Sequence, residues 1–181
     1  MIIGILKEIE GENRVSVLPD VAAALIKLKT EVWVESNAGI NAFEPDNNYV
    51  KTGCFIHPRT DLLSKADVLF SINPLHSDET AKMKVGAVLL GIHQPLFNIQ
   101  LVHDCLAKNL TLISLDMLPR TTRAQAMDVL SSQANIAGYK AVLLAASVYP
   151  HYFPMLMTAA GSVAPAKVLI LGAGVAGLQA I

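Results

Sequence analysis

Arg120, Arg123, Gln125, Asp128, Ser131, Ser132 and Asn135 gather in PRTTRAQAMDVLSSQANIAGYKAV, residues 119–142, although charged residues make up only 16% of the chain. Gln125, Asp128, Ser132 and Asn135 follow spacings of 3, 4 and 3, which on a helix places them on one face, with Ser131 at its edge. Solvated helix faces usually carry Lys and Glu. This one carries short, mostly uncharged hydrogen-bonding groups, which suit a surface that meets something polar with little water between. Asp128 is the only carboxylate on it. Half of the cluster also has a plainer reading. Thr122 and Gln125 have capping-box spacing, and Asp128 would then lie near the positive end of the helix dipole. The opposite face, with Met127, Leu130, Ala134, Ala137 and Ala141, reads as core. Gly138 in mid-helix costs about 1 kcal/mol relative to Ala, which points to close packing there.

A second constellation closes the sequence. KVLILGAGVAGLQAI carries Gly172-x-Gly174-x-x-Gly177 directly after an expected strand. In that context Gly172 permits a tight turn, Gly174 lets the backbone approach a pyrophosphate, and Gly177 lets helix and strand pack together. The helix N-terminus would present free N–H groups to the phosphates. The same glycines would also serve a small-residue turn that merely packs a strand on a helix. The acidic residue that reads the ribose is expected about 20 residues further on, beyond Ile181, so NAD cannot be told from NADP here.

Single residues carry less. His93, in GIHQP, falls at an expected strand end, where sites form in α/β proteins, but no partner motif accompanies it, so a structural or solvent-facing histidine is expected. Arg14 and Glu8 are expected to pair and fix the first strand. His76, His103 and His151 have no metal-ligand spacing. Cys54 and Cys105 lie far apart and form no CxxC, so both read as small core hydrophobes in a reducing compartment.

Positioning these groups requires a framework, and the sequence supplies one. Short apolar runs recur at 2–6, 31–35, 67–72, 87–92, 110–115 and 167–172, most of them continuous, as in strands covered on both faces of a parallel sheet. Helical patterns at 19–29, 60–65, 78–84 and 97–108 alternate with them. The expected fold is α/β, a doubly wound, mainly parallel sheet in a Rossmann-like N-terminal domain, followed by the start of a second Rossmann domain that binds a dinucleotide. The boundaries are expected at 1–125 for the first domain, 126–150 for a bridging helix within a helical pattern running from about 123 to 148, and 151–181 for the second domain. That second domain reads as incomplete, and the chain as a fragment. Tyr149, Tyr152 and Phe153 are expected to pack between domains.

Hydrophobic residues make up 52% of the 181, enough for a core. The net charge of -1 gives no electrostatic footprint for nucleic acid. The N-terminus is too quickly charged for a signal peptide, and no apolar run reaches the roughly 20 residues that span a bilayer. A soluble chain that could still dock on a membrane protein is expected.

The block PR…RAQ…D..SSQ, with FPMLMTAAGSVAPAKVLILGAGVAGLQAI after it, resembles the soluble NAD(H)-binding component of the proton-translocating NAD(P) transhydrogenases. The opening GILKEIEGENRVSVLP resembles the start shared by transhydrogenases and alanine dehydrogenases. The resemblance covers the whole chain and is strongest over 119–181. It implies a peripheral location on the cytoplasmic face of the inner membrane, a homodimer, and partner components that span the membrane and bind NADP(H). It also implies that Arg120 and Asp128 pair beside the nicotinamide ribose and carboxamide of NAD(H). Ser131 would bond the carboxamide region, Gln125 would reach toward the partner's nucleotide, and Gly172, Gly174 and Gly177 would hold the pyrophosphate. Arg120, Gln125 and Asp128 would thus be the catalytic set. Alanine dehydrogenases differ in carrying a substrate-binding Lys where this chain has Ser71 to Pro74 without one. Arg14 matches their carboxylate-binding Arg, and His93 stands where their catalytic His would be. Direct hydride transfer between two nicotinamides needs no proton donor; it needs two rings held at about 3–3.5 Å with water kept out. An amino-acid dehydrogenase, or a docking module without catalysis, remain the alternatives.

Overall fold

A computed structural model describes residues 1–119 and 121–181; Arg120 lies outside the described residues. The chain forms two compact units, Met1–Pro119 and Arg120–Ile181.

The first unit alternates strand and helix throughout. In chain order it runs β1 (Ile2–Ile5), α1 (Pro19–Lys27), β2 (Glu31–Glu35), α2 (Asp46–Lys51), β3 (Phe55–His57), α3 (Arg59–Lys65), β4 (Val68–Ser71), α4 (Ser77–Lys82), β5 (Val88–Gly91), α5 (Ile99–Ala107) and β6 (Thr111–Ser114). The six strands make one sheet in the order β3-β2-β1-β4-β5-β6, with every neighbouring pair parallel. This is the doubly wound Rossmann order, and the chain reverses direction between β1 and β4. Alternate residues of each strand feed opposite faces, which explains the continuous apolar runs. Ile3, Ile5, Val32 and Val34 join Ala22 of α1 and Tyr49 of α2 on one side. Trp33, Leu69 and Leu89 join Leu62 and Leu63 of α3 and Leu101 and Cys105 of α5 on the other. Both cysteines are buried and free, as expected of small core hydrophobes.

Two elements of this unit, α2 and β3, carry no strong sequence signal. Strand β3 is held by its pairing with β2, and α2 is secured by Tyr49, whose buried hydroxyl donates to the Val17 carbonyl at 2.8 Å. Burial pushes its pKa up to about 12. The carboxyl edge of the sheet is tied by Arg59 at the start of α3. Its guanidinium reaches Glu35 at the end of β2 (2.7 Å), Glu79 of α4 (2.6 Å) and the Lys7 carbonyl after β1 (2.9 Å).

The second unit is built on α6 (Val129–Val148), followed by a small antiparallel hairpin, β7 (Leu156–Thr158) with β8 (Gly161–Val163), and α7 (Val175–Ala180). The expected helix from about 123 begins later. Thr122–Met127 is a 3-10 stretch, and Asp128 caps α6. The expected strand at 167–172 joins no ladder among the described residues. Met127 and Leu130, expected in the core, are 49% and 44% exposed. Gly138 is buried, and a Cβ there would lie 2.2 Å from the Ala176 carbonyl oxygen, so the close packing anticipated from its position is that of α6 on α7. Tyr149 makes edge contacts with His151 and Phe153 at 5.4 and 5.6 Å, a local aromatic cluster. Among the described residues no helix is long and apolar enough to cross a membrane.

Candidate functional site

Two groups of polar residues stand out, one in each unit. In the first unit they line the carboxyl edge of the central strands. Glu8, just after β1, accepts hydrogen bonds from the backbone N–H of Ile72 (2.7 Å) and Asn73 (3.0 Å) and from the Asn73 amide (3.1 Å). Its carboxylate thus bridges the point where the chain reverses direction, where open α/β sheets usually leave a crevice. The expected Glu8–Arg14 pair takes another form. Arg14 makes an ion pair with Glu12 at 2.5 Å, while Glu8 helps raise the Arg14 pKa only through space, after the larger contribution of Glu12.

His93 follows β5 and is fully buried, so the solvent-facing expectation is corrected and the structural one kept. Its backbone is pinned, with the N–H donating to Ser114 Oγ (2.8 Å) and the carbonyl accepting from Asn98 (2.7 Å). Neither ring nitrogen has a hydrogen-bond partner among the described residues. Burial pushes its pKa down to about 4, against an opposing pull from Asp116. The ring is therefore neutral at physiological pH. Gly91 makes room for it, since a Cβ there would sit 2.8 Å from the imidazole and 1.7 Å from the Ser71 carbonyl oxygen.

In the second unit the polar cluster is organised by Asp128. One carboxylate oxygen accepts the Ser131 N–H (2.9 Å) and the other accepts the Ser131 hydroxyl (2.6 Å). Ser132 donates its hydroxyl to the Asp128 carbonyl at 3.0 Å. This is an N-cap, and it replaces the expected Thr122–Gln125 capping box. The physical reason is the 3-10 stretch, which delays the first α-helical turn until Val129. Gln125 consequently leaves the α6 face. It is exposed on the 3-10 stretch, and its carbonyl accepts the Asp128 N–H at 3.2 Å. Ser132 and Asn135 remain on α6.

The glycine turn also lies in this unit. Gly172 has φ +110, a conformation that L side chains rarely adopt, and Gly174 is the N-cap of α7. A Cβ at Gly177 would lie 2.0 Å from the Gly172 carbonyl oxygen, so the helix folds tightly back on the turn. Sequence reasoning missed Gln179. Its side-chain oxygen accepts from the Asn135 amide at 2.8 Å, across 44 positions of chain. The available signal was a pair of neutral amides, one on each of two expected helices. Among the described residues no group of three or more His, Cys, Asp or Glu is arranged to hold a metal.

The family described as "Alanine dehydrogenase/PNT, N-terminal domain" matches residues 4–137, and "Alanine dehydrogenase/PNT, C-terminal domain" matches 141–181. The chain belongs to the alanine dehydrogenase/PNT family. It is 41% identical to the NAD(P) transhydrogenase subunit alpha of Haemophilus influenzae, over 100% of this chain and 35% of that protein. Among solved structures, the transhydrogenase from Sinorhizobium meliloti superposes with a TM-score of 0.94 at 41% identity, over 99% of this chain and 54% of that one. An L-alanine dehydrogenase superposes with a TM-score of 0.82 at 25% identity, over 99% and 50%. The chain thus spans between a third and about half of the length of these family members. Within the family, the higher identity lies on the transhydrogenase side, in agreement with the resemblance read from the PR…RAQ…D..SSQ block.

Proposed function

We propose that this chain contributes the NAD(H)-binding part of an NAD(P) transhydrogenase. In the reaction a hydride leaves C4 of NADH and adds to C4 of NADP+ held on a partner component. NAD+ and NADPH result, and no free proton is exchanged at the rings. Coupling to proton translocation would belong to membrane-spanning partner components, with this chain peripheral on the cytoplasmic face and paired as a homodimer. Residues 151–181 are read as the start of the nucleotide-binding domain. The observation that carries the proposal is the 41% identity to a transhydrogenase alpha subunit along the whole of this chain.

The residue roles are those the resemblance implies, and the chemistry present suits them. Gly172, Gly174 and Gly177 shape a turn that a pyrophosphate can approach closely. Asp128 and Ser131 are already bonded to one another, which fixes their orientation before any ligand arrives. Fixed dipoles of this kind hold a nicotinamide carboxamide and ribose without a reorganisation cost. Arg120 is assigned to the same end of the coenzyme. Gln125, which is exposed, is assigned to meet the second nucleotide, where a neutral side chain traps no charge at the moment of transfer. Positioning, rather than acid–base work, is what this set can do.

The test combines the chain with the NADP(H)-binding component of a relative and follows hydride transfer in a single turnover. Gln125→Asn is expected to slow transfer about tenfold with NADH affinity nearly unchanged, since a 1 Å misplacement costs up to about 100-fold. A large loss of NADH affinity with an unchanged transfer rate would refute the assignment. Pyruvate- and ammonia-dependent oxidation of NADH by the chain alone would favour an amino-acid dehydrogenase. Dimerisation without NADH binding would favour a docking module.

A further inference from the structure

Two of the contacts between α6 and α7 pair Asn135 with Gln179 and Gly138 with Ala176. The order is reversed between the helices, so they run in opposite directions. Gly174 lies five residues from Gln179 along α7, and Ser131 lies four residues from Asn135 along α6. At 1.5 Å of rise per residue, those nine residues separate the glycine turn from the Asp128–Ser131 cap by roughly 13 Å along the helix axes. The Asn135–Gln179 bond stands between them.

We propose that Asn135 and Gln179 form a strut that sets the distance between the phosphate end and the nicotinamide end of the NAD(H) site. Both are positioning residues, since neither is assigned to the coenzyme. The inference rests on the reading of the glycine turn and the cap as the two ends of that site. Three features suit the role. The Gly138–Ala176 contact allows no slack, because a Cβ there would strike backbone at 2.2 Å. That contact fixes the approach of the helices, and the amide pair one turn away fixes their sliding. The two side chains are uncharged, so they add no field to a site that must accept a dinucleotide diphosphate. An exposed hydrogen bond between two amides adds little to stability, so its use is geometric.

The experiment uses this 181-residue chain with two probes, NADH and ADP. ADP engages the glycine turn alone, and NADH must span both ends. Asn135→Ala and Gln179→Ala are each expected to weaken NADH binding about threefold to tenfold, the worth of one hydrogen bond, and to leave ADP binding unchanged. The double variant is expected to be no weaker than the weaker single, because both remove one contact. Exchanging the pair, Asn135→Gln with Gln179→Asn, keeps a neutral amide bond of the same total reach and should bring NADH affinity back to within about twofold. Equal losses for NADH and ADP, or no loss for either, overturn the strut. A wild-type chain that binds neither probe overturns the nucleotide reading, and the strut falls with it. If NADH binds and only the strut variants behave like wild type, the strut alone fails.

Discussion

The two units of this chain treat similar residues in opposite ways. In Met1–Pro119, Ile5, Leu62, Leu69 and Leu89 are completely buried. The polar groups at the sheet edge there are tied to backbone or to each other, as Glu8 and Arg59 are. In Arg120–Ile181, Ile136, Leu144, Leu169 and Leu171 are each more than half exposed, and the ordered polar groups include a helix cap and an amide pair. The first unit holds its shape by apolar burial on both faces of a sheet. The second has less of that, and its cap and amide pair are specific and directional, one at the start of α6 and the other between α6 and α7. The difference teaches where to look: apolar burial is concentrated in the first unit, and the side chains proposed to meet a ligand are in the second.

The contrast breaks most readily on truncation. Leu89→Ala, at a fully buried site in β5, is expected to lower unfolding free energy by about 3 kcal/mol. Leu144→Ala, 60% exposed on α6, should change it by less than about 0.5 kcal/mol. Urea titrations of the two variants would decide, and similar losses would erase the distinction.

His93 sharpens the same contrast through pH. Its folded pKa is about 4, below the ordinary 6.5. The unfolded chain therefore takes up a proton before the folded one does, and stability falls as pH drops from about 6.5 to about 4. The full difference amounts to about 3 kcal/mol, and below about pH 4 this contribution levels off. His93→Gln should flatten that limb in a urea-midpoint series from pH 7 to 4. A series that runs parallel to wild type would show that the buried ring does not govern it.

Gly138→Ala tests the second unit. Alanine favours an isolated helix by about 1 kcal/mol, yet the new methyl meets backbone of α7. Overpacking of this kind costs roughly 1–3 kcal/mol, so a net loss of about 1 kcal/mol is expected. Hydrogen exchange of α6 and α7 amides would report it. A gain in protection would mean that α7 does not sit where Ala176 places it.

How much of this could be read beforehand follows the same division. Five of the six strands in the large sheet declare themselves as continuous apolar runs, because burial on both faces leaves no polar position to break them. Strand β3 does not, being three residues long and held by its pairing with β2. The run at 167–172 has the strand pattern but joins no ladder among the described residues, and pattern alone does not make one. At the site, the polar residues themselves were visible, but their arrangement was not. Thr122-x-x-Gln125 and Asp128-x-x-Ser131 are both plausible starts for a helix. The choice between them depends on the 3-10 stretch, which no local spacing encodes. The amide of Gln179 could not be assigned at all, since its partner is 44 residues away.

Asp128 carries the finest test, because capping and coenzyme binding ask different things of it. Asp128→Ala removes both acceptors for Ser131 and should cost about 1 kcal/mol of stability, the usual worth of an N-cap. Asp128→Asn keeps an oxygen for the Ser131 N–H, and its amide can donate to the Ser131 hydroxyl, so the helix start survives with a change of a few tenths of a kcal/mol. What the Asn variant loses is the negative charge. If Asp128 serves the nicotinamide end of NAD(H), that loss weakens both NADH binding and hydride transfer while the unfolding curve hardly moves. An Asn variant that matches wild type in both, beside an Ala variant that is merely less stable, would leave Asp128 a cap and nothing more. The pair of substitutions therefore separates an architectural carboxylate from a functional one within a single side chain.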